Sequence, residues 1–436
     1  MVVRVEVISR EMIKPSSATS HQLRNLKLSL LDQIAPPIYV PMILFYQTDQ
    51  SGHEIMDPAR KSELLRQSLS DTLTQFYPLA GRIEGNVFND CDDAGAEYVE
   101  ARVHAPLSQV ITNVNMEDLE RCLPIKPYGV DAGVSKEFLL AIQTNFFDCG
   151  GMAIAVCISH KIADGSSLVS FLNAWAGKAR GNGTIMQPNF DLATHFPPRN
   201  HLSGFAPTTG ITKEKLVTRR FVFDKTVLEK LKATVSNALG GSEAVKDPTR
   251  VEAVSAFIWK HMMEAAKANN TKMYVAVHAV NLRPRMIPPQ PAETSFGNLW
   301  RLATAASPPG GERTSIHLAS LLREAIKKIN NDFVEELIRD GNGCLEYLKK
   351  VGEQLSKGDV EICNFSSWCR FPVYEVDYGW GRPVWAATTT LPFKNVVILM
   401  STRCGDGVEA WVNLLAEDMA ALQCDDQFLS LFTTNY

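Results

Sequence analysis

A chain of 436 residues exceeds what one hydrophobic core ordinarily organises, so two domains of roughly 200 residues each are expected. Hydrophobic residues make up 45% and charged residues 21%, which excludes an intrinsically disordered polymer. A formal net charge of −4 excludes a general electrostatic attraction to nucleic acid or to an anionic membrane surface.

From Met1 to Ser9 charged and apolar residues alternate, without the unbroken apolar core of a signal peptide. No stretch reaches the ~18 consecutive apolar residues of a spanning helix, so the expected location is cytoplasmic. The cysteines at 91, 122, 149, 157, 344, 363, 369, 404 and 424 are odd in number and form no CxxC pair. Reduced structural thiols are expected, and a zinc ribbon is not.

The Val3-Val5-Val7 alternation predicts a strand that Lys14-Pro15 breaks. Ser29 to Tyr46 reads as a turn feeding a buried strand. Between Pro58 and Phe76, Leu64, Leu65, Leu69, Leu73 and Phe76 recur at helical spacing. Residues 138–146 and 152–159 read as two strands joined by a hairpin turn at Asp148-Cys149-Gly150-Gly151. A helix is predicted from about Ser166 to Lys178. Residues 181–215 carry Gly, Pro, Asn and Thr without periodicity and read as a crossover. Beyond it come a strand at 219–224 and a helix through Leu228 and Leu231. A longer helix over 249–268 presents Val254, Phe257, Ile258 and Met262 on one face. A strand follows at 274–280, then a helical stretch from Ile316 to about Leu355 broken at Gly341-Asn342-Gly343. Strands around 396–400 and 410–412 and a helix from Glu417 end the chain. Strands and helices mixed in both halves predict an α/β protein.

Ser159-His160-Lys161-Ile162-Ala163-Asp164-Gly165 fits HxxxDG, but so does His53-Glu54-Ile55-Met56-Asp57 fit HxxxD. Context separates them. His53 lies among Gln50, Ser51 and Gly52, whereas His160 ends an apolar strand ahead of a helix, where a side chain can face a cleft. An imidazole with a pKa near ~6.5 can take a proton from an attacking alcohol and return it to a leaving thiolate. Asp164, just before Gly165 and the helix, suits an N-cap or a structural ion pair better than chemistry. A core histidine is the plain alternative for His160. A metal site would need a third ligand, and none lies nearby. A serine hydrolase would need a GxSxG elbow, which is absent around Ser159 and Ser166.

Downstream stands Asp377-Tyr378-Gly379-Trp380-Gly381. With the His160 segment it resembles the plant BAHD acyltransferase family, whose DFGWG motif it matches with Tyr in place of Phe. Tyr77-Pro78-Leu79-Ala80-Gly81-Arg82, Thr249-Arg250-Val251-Glu252, Asn281-Leu282-Arg283, Phe296-Gly297-Asn298 and Ser366-Ser367-Trp368 extend the resemblance over nearly the whole chain.

The resemblance implies two chloramphenicol-acetyltransferase-like α/β domains of mixed sheet and helices with a central channel between them. One spans 1–180 and carries HxxxDG; the crossover is 181–215; the other spans 216–436 and carries the DYGWG loop, with a segment near 366–395 available to pack with the first. His160 would be the general base. Asp164 would pair with Arg283, or second with Arg285. Asp377 belongs to the family motif with an expected structural role, and Gly165, Gly379, Trp380 and Gly381 are structural at the site. Glycines flanking a tryptophan suggest a tight turn packed by an aromatic ring. Thr249 and Arg250, at a helix start, could meet CoA phosphates or form a cap. Ser366 and Trp368 could lie near the thioester, with the hydroxyl stabilising an oxyanion. No metal and no bound cofactor are expected. The implied co-substrates are acetyl-CoA and a small-molecule alcohol, with an alkaloid or terpenoid first and a volatile alcohol second. The protein is expected to act as a monomer, without nucleic-acid or membrane partners.

Overall fold

The computed structural model describes residues 2–48, 56–127, 138–181, 186–204, 212, 214–236, 245–266, 272–286, 293–341, 343, 345, 349, 353 and 358–432. In chain order the first strands are β1 (Val5–Ile13), β2 (Asn25–Lys27), β3 (Tyr39–Tyr46), β4 (Arg82–Glu84), β5 (Phe88–Asp90), β6 (Ala96–Val103), β7 (Leu140–Phe147) and β8 (Met152–Ser159). They continue with β9 (Leu216–Phe223), β10 (Met273–Asn281), β11 (Trp300–Ser307), β12 (Val360–Ser367), β13 (Trp385–Ala387), β14 (Val396–Ser401) and β15 (Val408–Leu415). The helices used below are α1 (Leu30–Gln33), α2 (Pro58–Gln75), α3 (Leu107–Thr112), α4 (Met116–Arg121), α5 (Gly165–Ala179), α6 (Leu192–His195), α7 (Lys225–Ser236), α8 (Arg250–Ala265), α9 (Ser315–Lys327) and α10 (Asn331–Arg339). Among the described residues, no helix is long and apolar enough to cross a membrane.

Two units divide the chain. Unit 1 takes Met1–Thr208, Pro291–Leu299 and Phe371–Thr389; unit 2 takes Thr209–Gln290, Trp300–Arg370 and Thr390–Tyr436. Unit 1 is built on a six-stranded sheet in the order β1-β6-β7-β8-β3-β13, with a small sheet β2-β5-β4 beside it. β6 and β7 run parallel and the other neighbours antiparallel. Every residue of β3 and β8 is buried, so these strands are covered on both faces and read as continuous apolar runs rather than alternations. Gly150, at φ +81, makes the β7–β8 turn in a region that costs other residues energy. The predicted apolar face of α2 is buried at Leu65, Leu69 and Leu73. α5 lies against it, with Trp175 Nε1 donating to Leu65 O at 3.2 Å and Ser68 Oγ at 3.1 Å.

Unit 2 has a second six-stranded sheet, β11-β10-β12-β14-β15-β9. β12 is parallel to both β10 and β14; the remaining pairs are antiparallel. The predicted face of α8, with Val254, Phe257, Ile258 and Met262, is buried.

Three differences from the sequence expectations have physical causes. The helical run after Ile316 has a break at 328–330 besides the expected one: Asn330 accepts from Phe333 N at 3.0 Å and caps α10, and α10 then ends at Arg339 ahead of a turn at Gly341; Asn342 and Leu355 lie outside the described residues. β6 was hidden by its charges, yet Glu97 is buried against Arg10 of β1. Residues 291–299, within the expected second domain, belong to unit 1, where they join 371–389 from the stretch near 366–395 expected to be available to it. β13 pairs with β3, and the Trp385 ring stacks on Phe45 at 5.1 Å.

Candidate active site

β8 runs apolar to Ser159, and α5 begins six residues later, with Asp164 as its N-cap. His160 occupies the first position of the connecting turn and is half-buried. Its backbone is fixed on both sides: N–H donates to Ile38 O at 2.8 Å, and its carbonyl accepts from Asn298 Nδ2 at 2.7 Å. Burial pushes the imidazole's proton affinity down, and the Asp164 charge opposes that effect. Burial thus favours the neutral form of the ring.

Asp164 is 6% exposed. Oδ1 accepts from Ser167 N at 2.9 Å and Oδ2 from Leu299 N at 3.0 Å. One carboxylate thus caps α5 and anchors the strip at 297–299. Gly165 opens that helix. The competing HxxxD ends in a similar device, since Asp57 caps α2 through Arg60 N at 2.9 Å; His53, Glu54 and Ile55 lie outside the described residues.

Several residues at this turn were missed as site residues from sequence. Lys161 is buried and donates through Nζ to Gln33 O at 2.7 Å and Ala35 O at 3.1 Å. Burial lowers its pKa to about 7, with Asp32 opposing. Asp32 and Ser29 form a capping box at α1. Burial raises the Asp32 pKa against the hydrogen bonds that favour its charge. The Ser29-x-x-Asp32 spacing is a legible capping signal. Nothing in spacing locates Asn298, more than 130 positions from His160.

The DYGWG loop also lies in unit 1. Asp377 Oδ1 accepts from Gly379 N at 2.8 Å and Gly381 N at 3.0 Å, and Asp377 O accepts from Arg180. Gly379 and Gly381 sit at φ +108 and +101, where a Cβ is strained. The aromatic residues hold the loop down. Tyr378 and Trp380 stack at 5.6 Å, Trp175 meets Tyr378 edge-on at 4.9 Å, and Lys61 lies 5.4 Å over the Trp380 ring. Tyr378 is fully buried, and its hydroxyl has no hydrogen-bond partner among the described residues. Tyr378→Phe should therefore raise stability by about 1–3 kcal/mol, the cost of an unsatisfied buried polar group. In thermal unfolding that is a rise of roughly 2–10 °C; an unchanged or lower midpoint would show that the hydroxyl is satisfied.

The remaining expected site residues lie in unit 2. Thr249 caps α8 in a capping box with Glu252, which Arg323 holds by two hydrogen bonds of 2.8 and 2.7 Å. Arg250 donates to Gly405 O and to Gly407 O, the latter at 3.4 Å. The capping alternative is thus the role the geometry gives Thr249. Ser366 Oγ accepts from Trp368 Nε1 at 3.1 Å, which leaves the hydroxyl proton to donate. Arg283 is buried, with its N–H and Nη1 donating to Asn281 Oδ1 at 3.0 and 3.3 Å; Arg285 is half-buried. Among the described residues, one grouping could hold a metal ion: His261, Glu264 and Asp425. His261 Nδ1 lies within hydrogen-bond distance of both carboxylates, 2.6 Å from Asp425 Oδ2 and 3.1 Å from Glu264 Oε2.

The Transferase family model matches residues 3–429. The chain is 42% identical to stemmadenine O-acetyltransferase of Catharanthus roseus and 43% identical to vinorine synthase of Rauvolfia serpentina, over all of both chains in each case. The vinorine synthase crystal structure superposes with a TM-score of 0.84, covering 98% of each chain. F. graminearum TRI101, solved with coenzyme A and T-2 mycotoxin, shares the fold at 18% identity, with a TM-score of 0.74 over 93% of this chain and 98% of that one.

Proposed function

Given that the chain belongs to the Transferase family of BAHD acyltransferases, we propose that it transfers acetyl from acetyl-CoA to a hydroxyl of an alkaloid or terpenoid alcohol. His160 is the general base. Its imidazole takes the hydroxyl proton as the oxygen attacks the thioester carbonyl carbon. The tetrahedral adduct then collapses: the new C–O bond remains, the C–S bond breaks, and the thiolate receives the proton from the imidazolium. One side chain serves both half-steps, and no acyl-enzyme is needed.

The observation that carries this reading is the state of His160, a half-buried imidazole with lowered proton affinity on a turn fixed at both N–H and C=O. A base must be unprotonated at working pH and held still. Asp164 gives both oxygens to backbone amides, which supports a positioning role. Relatives named for O-acetylation support acetyl as the group transferred.

The test is release of free thiol from acetyl-CoA in the presence of a panel of alkaloid, terpenoid and volatile alcohols, with the ester product identified by mass. Turnover is expected with an alkaloid or terpenoid. Turnover confined to volatile alcohols would overturn the acceptor class, and no turnover across the panel would point to a non-catalytic binding protein.

A further inference from the structure

We propose that Asn298 is a positioning residue for His160, held in place by the buried carboxylate of Asp32. The inference rests on the reading of His160 as the base.

Asn298 is 1% exposed and Asp32 5%. The Asn298 carboxamide uses Nδ2 twice, to His160 O at 2.7 Å and to Asp32 Oδ1 at 2.9 Å. Its backbone N–H also donates to Asp32 Oδ1, at 2.8 Å. The other carboxylate oxygen, Oδ2, accepts from Ser29 N at 3.0 Å and Ser29 Oγ at 2.6 Å. Asp32 is thus a four-donor acceptor whose geometry leaves the amide of Asn298 one orientation. The strip around Asn298 is stapled at each step: Ser167 Oγ bridges the N–H and C=O of Gly297, and Leu299 N reaches Asp164. From the other side Lys161 clamps the carbonyls at 33 and 35, so α1 and the His160 turn are tied together twice. The charged groups around the imidazole are Asp164 at the start of α5 and Lys161 on the turn itself, with Asp32 on α1 opposite Lys161. A side-chain hydrogen bond with Asn298 adds to the effect of Asp164 in favouring the protonated ring, while burial and Lys161 disfavour it.

Asn298→Ala removes the donor to the His160 carbonyl and the side-chain support of the ring. The expected result is a kcat about 10- to 100-fold lower with the KM for acetyl-CoA within twofold. Loss of a group that favours the imidazolium should also move the acid limb of kcat/KM to lower pH, a shift that a general loosening of the fold would not give. In a His160→Ala background the same change should have no further effect, because residues acting as a unit are not additive. A kcat within twofold of wild type, an unmoved acid limb, or a loss of equal size in the His160→Ala background would each overturn the proposal. Should Asn298→Ala not fold, Asp32→Asn, which misplaces a donor against Ser29 N–H, carries the same comparisons. If His160→Ala is itself fully active, it is the base assignment that fails; if His160→Ala is inactive while Asn298→Ala keeps wild-type kcat, only the positioning role fails.

Discussion

Alanine at His160 should lower the rate of acetyl transfer about 100- to 10,000-fold, the range a positioned general base contributes. The side chain is half-buried on a turn whose backbone hydrogen bonds do not depend on it, so the unfolding midpoint should move by only a few degrees. The pH profile gives a second reading. Burial, the largest influence, lowers the imidazole's pKa from its usual value near ~6.5. The protonated, inactive form is therefore populated only at lower pH, and the acid limb of kcat/KM should lie below pH ~6.5. Wild-type turnover in His160→Ala would end the assignment, and an acid limb above pH 7 would contradict the described environment.

Asp377→Ala should act on stability. The carboxylate Oδ1 is the acceptor for both Gly379 N and Gly381 N, and both glycines hold positive φ. Hydrogen bonds to a charged group contribute about 1.5–3 kcal/mol each in favourable settings. For a partly exposed pair, a total loss of about 2–4 kcal/mol, or roughly 5–15 °C in the unfolding midpoint, is expected. Asp377→Asn keeps an oxygen in the same place and should lose less than half as much. Both variants, assayed well below their midpoints, should retain kcat within about threefold, as expected for a group that holds a loop and leaves the chemistry to others. Loss of turnover in Asp377→Asn at an unchanged midpoint would show that the carboxylate has a chemical role.

The parts of this protein written in local pattern were legible. The apolar runs at 140–147 and 152–159 with Gly150 between them specify a hairpin, and Leu65, Leu69 and Leu73 specify the face of α2. The helix starts were also readable, and they explain why HxxxD alone says little: Asp57 and Asp164 both sit where a helix begins and both cap it. The hidden parts depend on distant partners. Glu97 makes β6 look like a surface segment until Arg10 is beside it. Asn298 carries no periodicity and acquires its place only when Asp32, some 270 positions earlier, meets it. Lys161 could have drawn notice as a charge inside an apolar run, but the carbonyls that satisfy it come from a turn 126 and 128 residues away.

The borrowed segments of unit 1 bear on how the protein is made. Strand β3 receives its outer neighbour β13 from residues 385–387, and the strip that meets Asp32 and Asp164 comes from 297–299. During synthesis, the first 208 residues leave the ribosome with a bare apolar strand edge and an unmatched buried carboxylate. The missing β-strand follows about 180 residues later, on the order of 10–40 s at cellular elongation rates of ~5–20 residues per second. For that interval the nascent chain carries the kind of open edge that invites pairing with other chains, and unit 1 is closed only when most of unit 2 has already been translated.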